Sequence, residues 1–520
     1  MRSSTVVILI AGFLTVGCPG RDTTPPETGG GTAAGSAVRR VAGLASFTGE
    51  MLRRGAGSRT AKQISEDIEF VGGSLDVRTE PDSTSIQVRV LRDHLDLAMS
   101  LMADLAQRPT FAQPEIEIIR QRELDRLTLM QSQPHWLARQ AFYRALYGPD
   151  HPYGYADAEP QVIERLTRDQ LVAFHRQHYI PRNAFLLVVG DTDPAAVEAV
   201  AQRTFGAWED RPVPDRSIPR PPPAPAVGRR VVVVDRPGTT QAQIYIGNVA
   251  LERAHPAHTR LRVANQILGG SASARLFMNL RERCSYSYGV YSNISNRAGP
   301  GPHIVGGAVE IQHTAGALRE VFGELDRIRG EAPPAAELRA AQDYLVGQFP
   351  IMTETAANLA ELVSIQRVFG LPDDYWSTLR SAIAGVTADQ VTEVARTFIR
   401  PEDDLVVIVG DASVVAEPAS HFGAVTVVDL LGRPIGTREA APDQWPGGEP
   451  PECPALPDAG EAGPAQEPPA PSVARDIDFP AVHESVLGNG LEVLTVEQHD
   501  LPLVELRLVI RSGSGADPAM

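Results

Sequence analysis

The chain repeats itself. Leu166-Thr167-Arg168-Asp169-Gln170-Leu171 returns as Val386-Thr387-Ala388-Asp389-Gln390-Val391, at an offset of 220. At the same offset Tyr179-Ile180-Pro181 returns as Ile399-Arg400-Pro401, and FLLVVGD (Phe185 to Asp191) returns as LVVIVGD (Leu405 to Asp411). Each copy reads as a helix opened by a Thr N-cap, a short turn, and a buried strand ending in Gly-Asp. Either motif alone is weak. Two in the same order at one offset indicate a duplicated domain.

The copies open differently. The second, residues 228–430, follows a proline-rich connector at 214–227 and starts with a strand pair, Arg230 to Asp235 and Gln241 to Val249, before a helix from about Thr259 to Leu268. The first, residues 41–213, starts directly on a helix from Gly43 to Arg53. A matching strand pair lies at the far end of the chain. Beyond a Pro/Gly-rich linker at 431–475, the tail 476–520 carries Gly490 to Val496 and Leu503 to Arg511. There Val504, Leu506, Leu508 and Ile510 alternate with Glu505, Arg507 and Val509, the period of a half-buried strand. A linker of about 40 residues reaches roughly 40 Å as a coil. Two readings fit: the tail completes the first domain in permuted order, or it opens a further copy cut short. An isolated strand pair is marginal in water, which favours the first.

The 520 residues allow two or three domains with sizeable cores, and 43% hydrophobic with 22% charged residues describes a globular protein. The net charge of −16 is spread along the chain and no Lys/Arg block occurs, which argues against a nucleic-acid partner. Residues 1–18 read as an export signal: Arg2, an apolar run from Val6 to Val16 too short to span a bilayer, then Gly17-Cys18. A small residue before Cys resembles a bacterial lipoprotein cleavage site, with Cys18 lipidated. An ordinary signal peptide is the alternative, because Leu14 lies one place upstream of the usual pattern. Residues 19–40 then form a flexible tether, and the expected location is the bacterial cell envelope, lipid-anchored and facing the periplasm. Cys284 and Cys453 stand far apart without any CxxC, so neither a disulfide framework nor a thiolate metal site is expected.

Several blocks together resemble the pitrilysin/insulinase family of zinc metallopeptidases. They are Leu487-Gly488-Asn489-Gly490-Leu491-Glu492-Val493 with Gly513 to Pro518, the helix Gly43 to Leu52, His151-Pro152-Tyr153-Gly154, and Leu268-Gly269-Gly270 with Arg275-Leu276-Phe277. The resemblance implies an α+β fold of two duplicated domains, each a β-sheet with helices on one face, the first completed by the tail. Active members carry H-x-x-E-H on that first helix: the two His bind zinc and the Glu activates water. The matching positions here are Ser46, Gly49 and Glu50. The third ligand, a Glu further along, falls near Asp125 and Arg126 on a helix from Glu115 to Gln131.

No other zinc motif stands in the chain. His175 with His178, and His255 with His258, read as surface or core-edge histidines, and Glu115, Glu117 and Glu123 as a solvated helix face. The segment Leu280 to Ser292 resembles the one that carries the family's Arg/Tyr pair, which places that pair at Arg281 and Tyr288. Both residue types donate hydrogen bonds to a peptide carbonyl gaining negative charge. The plainer alternative is a structural salt bridge and a sheet-filling ring. Some members are heterodimers of half-size chains, one with the zinc motif and one supplying the donors. The resemblance therefore implies a mitochondrial-processing-peptidase-like, non-catalytic subunit with no cofactor of its own. Its partner would be a homologous zinc-binding peptidase chain acting on peptide or protein substrates. The alternative is a peptide-binding or scaffold lipoprotein with no protease partner.

Overall fold

The structure is a computed structural model that describes residues 41–222, 228–441, 453 and 479–518; the expected signal, Cys18 and most of the linker lie outside them. Two sheets carry the fold. Their strands, in chain order, are β1 (Ser74–Thr79), β2 (Thr84–Leu91), β3 (Ala184–Gly190), β4 (Arg230–Asp235), β5 (Gln241–Leu251), β6 (Ser287–Ile294), β7 (Gly301–Glu310), β8 (Leu405–Gly410), β9 (Ala424–Val428), β10 (Pro434–Arg438), β11 (His483–Val486), β12 (Glu492–Glu497) and β13 (Leu503–Ile510). The first sheet runs β11-β12-β3-β13-β2-β1 and the second β10-β9-β4-β8-β5-β7-β6.

The sheets share a plan. In the first, β3 lies parallel to β12, with Phe185 opposite Glu492, and antiparallel to β13. In the second, β8 lies parallel to β4, with Leu405 opposite Arg230, and antiparallel to β5. The tail strands β12 and β13 therefore hold the places that β4 and β5 hold in the other copy. β13 is an interior strand, bonded to β3 on one side and β2 on the other. The repeated helices, Arg168–His178 and Ala388–Phe398, both open on a complete capping box, Thr167/Gln170 and Thr387/Gln390. β10 pairs with β9, so the stretch read as linker begins with a strand.

The chain closes tightly on its own start. Val41 donates its N–H to the Pro518 carbonyl at 2.8 Å. The Asp517 carboxylate accepts the N–H groups of Gly43 at 2.8 Å and Ala45 at 2.7 Å, at the head of the Leu44–Leu52 helix. A helix start leaves several N–H groups without intrahelical partners, and an aspartate is well suited to take them. Here the cap comes from the opposite end of the sequence.

Each domain's own helices cover one face of its sheet, and a helix of the other domain covers the second face. Leu359, Ala360 and Val363 of the Ala356–Phe369 helix pack on Phe185, Leu187 and Val189 of β3, with Leu494, Val496 and Val509. Reciprocally, the Pro134–Tyr147 helix lies against β8 and β5 of the second sheet. This exchange leaves β3 and β8 buried along their whole length, which is why both read as unbroken apolar runs. It also corrects the half-buried reading of β13. Glu505 and Arg507 are buried under the exchanged helix: Arg507 pairs with Glu361 and donates to the Ala357 carbonyl at 3.1 Å, and Glu505 takes Arg89 at 3.0 Å. Charges removed from water need such partners, so these polar residues face protein rather than solvent.

The domains also meet through polar contacts. Tyr153 donates to Asp82 at 2.6 Å, while Gly299 N–H reaches the Tyr153 oxygen at 3.0 Å and Ala298 N–H reaches Asp82 at 3.1 Å. A second correction concerns sulfur: Cys284 and Cys453 form a disulfide across 169 residues. Spacing could not show it, because the chain between them folds as most of a domain and returns.

Candidate functional site

The Leu44–Leu52 helix places Ser46, Gly49 and Glu50 beside β1, where a metal site would form. None offers metal chemistry there. The Ser46 hydroxyl donates to the Gly43 carbonyl at 3.0 Å, and Glu50 is held by Arg53 at 2.9 Å. Gly49 lies so close to β1 that a Cβ on it would stand 2.6 Å from Thr79 Oγ1. A side chain at the general-base position would have to displace that hydroxyl.

Arg126 lies on the Gln113–Met130 helix and is filled with partners. Its guanidinium donates to Asp157 through two bonds, at 3.0 and 2.7 Å, and its Nε reaches both oxygens of Glu123 at 3.0 Å. The Glu123 carboxylate, and then Asp157, push the Arg126 pKa further up, so the cation is permanent. Burial alone would raise the Asp157 carboxyl, but Arg126 and the Trp136 indole N–H, 3.0 Å away, hold it below the ordinary range. Asp157 and Ser46 line one small cavity with Thr79 and Asp517. A fixed cation and a glycine at the general-base position do not fit zinc. Asp125 bonds to Gln121 at 2.8 Å on the same helix and takes no part.

The histidine pairs are structural. His175 bonds to the Ala106 carbonyl at 2.8 Å and His178 to the Ser512 hydroxyl at 3.0 Å, and burial lowers both pKa values to about 4. His258 bonds to Asn296 at 3.2 Å, and burial followed by Arg253 lowers it to about 3. Among the described residues one cluster has metal-ligand geometry, Cys284, Cys453 and Glu320. Its sulfurs are spent on each other and Glu320 is ion-paired to Arg283, so it is a crosslink rather than a ligand set.

In the second domain the chain runs from a π-helical turn, Met278–Arg283, into β6, the edge strand of the sheet. Such turns and β-bulges re-aim side chains and recur at functional sites. Here the pairing of β6 with β7 slips between Ser287 and Gly289, at Tyr288. The slip leaves Tyr288 83% exposed, with its hydroxyl engaging nothing among the described residues. Arg281 Nη1 donates to the Tyr288 carbonyl at 3.2 Å, its guanidinium stands 5.0 Å from the Phe277 ring centroid, and its Nε is 3.4 Å from Glu282. Tyr291 packs beside Phe277 at 5.5 Å. The structure thus brings Arg281 and Tyr288 together on one open edge, with donor capacity to spare.

Sequence reasoning missed Asp157 and the cysteine pair. Asp157 carries no motif, and its partner Arg126 lies 31 residues away.

Comparisons with known proteins give the family and the fold. A model described as insulinase (peptidase family M16) matches residues 33–151, and one described as peptidase M16 inactive domain matches residues 165–345. An uncharacterized zinc protease of Mycobacterium tuberculosis is 28% identical over 368 residues, covering 69% of this chain and 82% of that protein. One from Rickettsia bellii is 30% identical over 254 residues, covering 48% and 59%. Among solved structures, a peptidase M16 inactive domain from Pseudomonas fluorescens shares the fold with a TM-score of 0.65 at 23% identity, covering 73% of this chain and 90% of that one. A protease from Helicobacter pylori does so at 0.66 and 18% identity, covering 71% and 89%. With two models of one peptidase family together matching more than half of its length, the chain belongs to the pitrilysin/insulinase family, as a homologue whose first helix lacks the residues of the zinc motif.

Proposed function

We propose that this chain is the non-catalytic subunit of a zinc metalloendopeptidase, binding peptide substrate and completing the active site of a homologous chain that carries H-x-x-E-H. The observation that carries this reading is the Arg281–Tyr288 pair. The Arg281 guanidinium bonds to the Tyr288 carbonyl and the Tyr288 side chain is exposed, while the first helix carries neither histidine of the zinc motif. Hydrolysis belongs to the partner and its metal, and this chain holds none. What it contributes is a guanidinium and a phenol placed to receive a carbonyl oxygen as negative charge builds on it. Export to the cell envelope and a lipid on Cys18 would keep both subunits at one membrane surface.

The test is reconstitution with a homologous chain bearing the motif. Activity should appear only in the mixture, and Arg281→Ala with Tyr288→Phe should lower kcat about a hundredfold while the complex still assembles. A double variant that assembles and turns over at the native rate would overturn the assignment. If instead no mixture is active, a peptide-binding role without a protease partner becomes the better reading.

A further inference from the structure

The donor segment has an irregular backbone. Within eleven residues it contains the π-helical turn Met278–Arg283, Ser285 at φ 56°, and the pairing slip at Tyr288. A side-chain-bearing residue in the left-handed region costs on the order of 1 kcal/mol or more, and such conformations persist only where the surroundings enforce them. Part of the enforcement is visible. Asn279 reaches Glu324 at 2.9 Å, Arg283 pairs with Glu320, and Tyr286 stacks on His313 at 4.6 Å. The Cys284 N–H to the Asn279 carbonyl and the Tyr286 N–H to the Leu280 carbonyl, both at 2.9 Å, add to it, and a further tie is covalent. Cys284, next to Ser285 and midway between Arg281 and Tyr288, is bonded to Cys453, the only described residue between 441 and 479.

We propose that the Cys284–Cys453 disulfide positions the Arg281–Tyr288 segment, making the geometry of the two donors depend on thiol oxidation. Its catalytic meaning rests on the function proposed above; the effect on local geometry does not. The chemistry is thiol–disulfide exchange with a small-molecule or protein disulfide. The two thiols of this chain give up two electrons and two protons, one S–S bond forms, and the oxidant's S–S bond becomes two thiols. A dithiol reductant reverses the exchange. Cys284 and Cys453 are positioning residues, since neither touches the reacting atoms.

The experiment is hydrogen exchange on the full chain, oxidised and after treatment with a dithiol, beside Cys453→Ser. That variant alters a half-buried residue at the margin of the second-domain core and leaves Cys284 in place. Reduction should speed exchange of the amides at 285–290 about tenfold or more, leave the Pro134–Tyr147 helix unchanged, and make the native chain match Cys453→Ser. In the reconstituted complex the dithiol should lower kcat about tenfold with KM unchanged, and should not move the already lowered rate of Cys453→Ser. Unchanged exchange at 285–290, or two thiols open to alkylation in the untreated exported protein, would overturn the proposal. If the donors prove idle in every complex, the functional reading fails while the exchange result still decides this one.

Discussion

A glutamate at position 49 would collide with Thr79, whose hydroxyl oxygen stands 2.6 Å from where its Cβ must go. The missing zinc motif is therefore more than three substitutions deep. Changing Ser46→His, Gly49→Glu, Glu50→His and Arg126→Glu together should not restore a metal site, because a Cβ at position 49 must first displace the Thr79 hydroxyl of β1. Elemental analysis after dialysis against zinc should find well under one equivalent. One tightly held zinc on a folded chain would contradict this. Removing the cation by Arg126→Ala should cost about 1–3 kcal/mol in urea unfolding, because Asp157 and Glu123 lose their common partner. At this scale the sequence told half the story. Arg126 could be placed from the resemblance, whereas Asp157 comes from a loop without a motif and could be found only in space.

The Leu44–Leu52 helix and the tail are one working element, although nearly the whole chain separates them. Asp517 caps the helix, so Asp517→Ala should destabilise the protein by about 1–2 kcal/mol, the usual cost of losing an N-cap, while Asp517→Asn should recover most of it. A denaturant midpoint that Asp517→Ala leaves unmoved would show the cap to be idle. Deleting residues 476–520 is harsher. It removes β11, β12 and β13, leaving β3 unpaired on both sides and β2 on one, so the product should aggregate. A deleted protein that stays monomeric and equally stable would mean that the strands contribute nothing. The alternation of Val504, Leu506, Leu508 and Ile510 made β13 legible as a strand. Which surroundings its other face meets was not legible, because the Ala356–Phe369 helix that buries Glu505 and Arg507 comes from the other domain.

Across the whole molecule the repeat fixed the topology, since FLLVVGD and LVVIVGD became the matching strands β3 and β8. The exchange of helices between domains left no trace in the sequence, as amphipathic patterns show that a face is buried and not what buries it. Stability is tied to pH through both domains. His175, His178 and His303 fall to about 4 and His258 to about 3, each by burial, against an unfolded value near 6.5. Their neutral forms belong to the folded state. The unfolded chain binds protons first as the pH drops, so stability is full above about 6.5 and declines towards 4, by at most about 1.4 kcal/mol per pH unit for each imidazole. Urea midpoints should therefore fall between pH 7 and 5, and His178→Gln should flatten the slope. An equal slope in the variant would exclude that residue from the effect.

The strand order also sets a timetable for synthesis. β3 leaves the ribosome without either of its sheet neighbours, β12 and β13, which lie roughly 300 residues downstream. At about 5–20 residues per second, that is a wait of roughly 15 to 60 seconds. Throughout it β3 stands unpaired and the first helix has no cap, and for about the first half of it the helix that covers the outer face has not been made. The first half of this protein cannot finish folding before the second half exists, so the nascent chain must be kept from aggregating until its last strands arrive. A chain that has to wait unfolded is also one that can be threaded through a membrane pore before it folds.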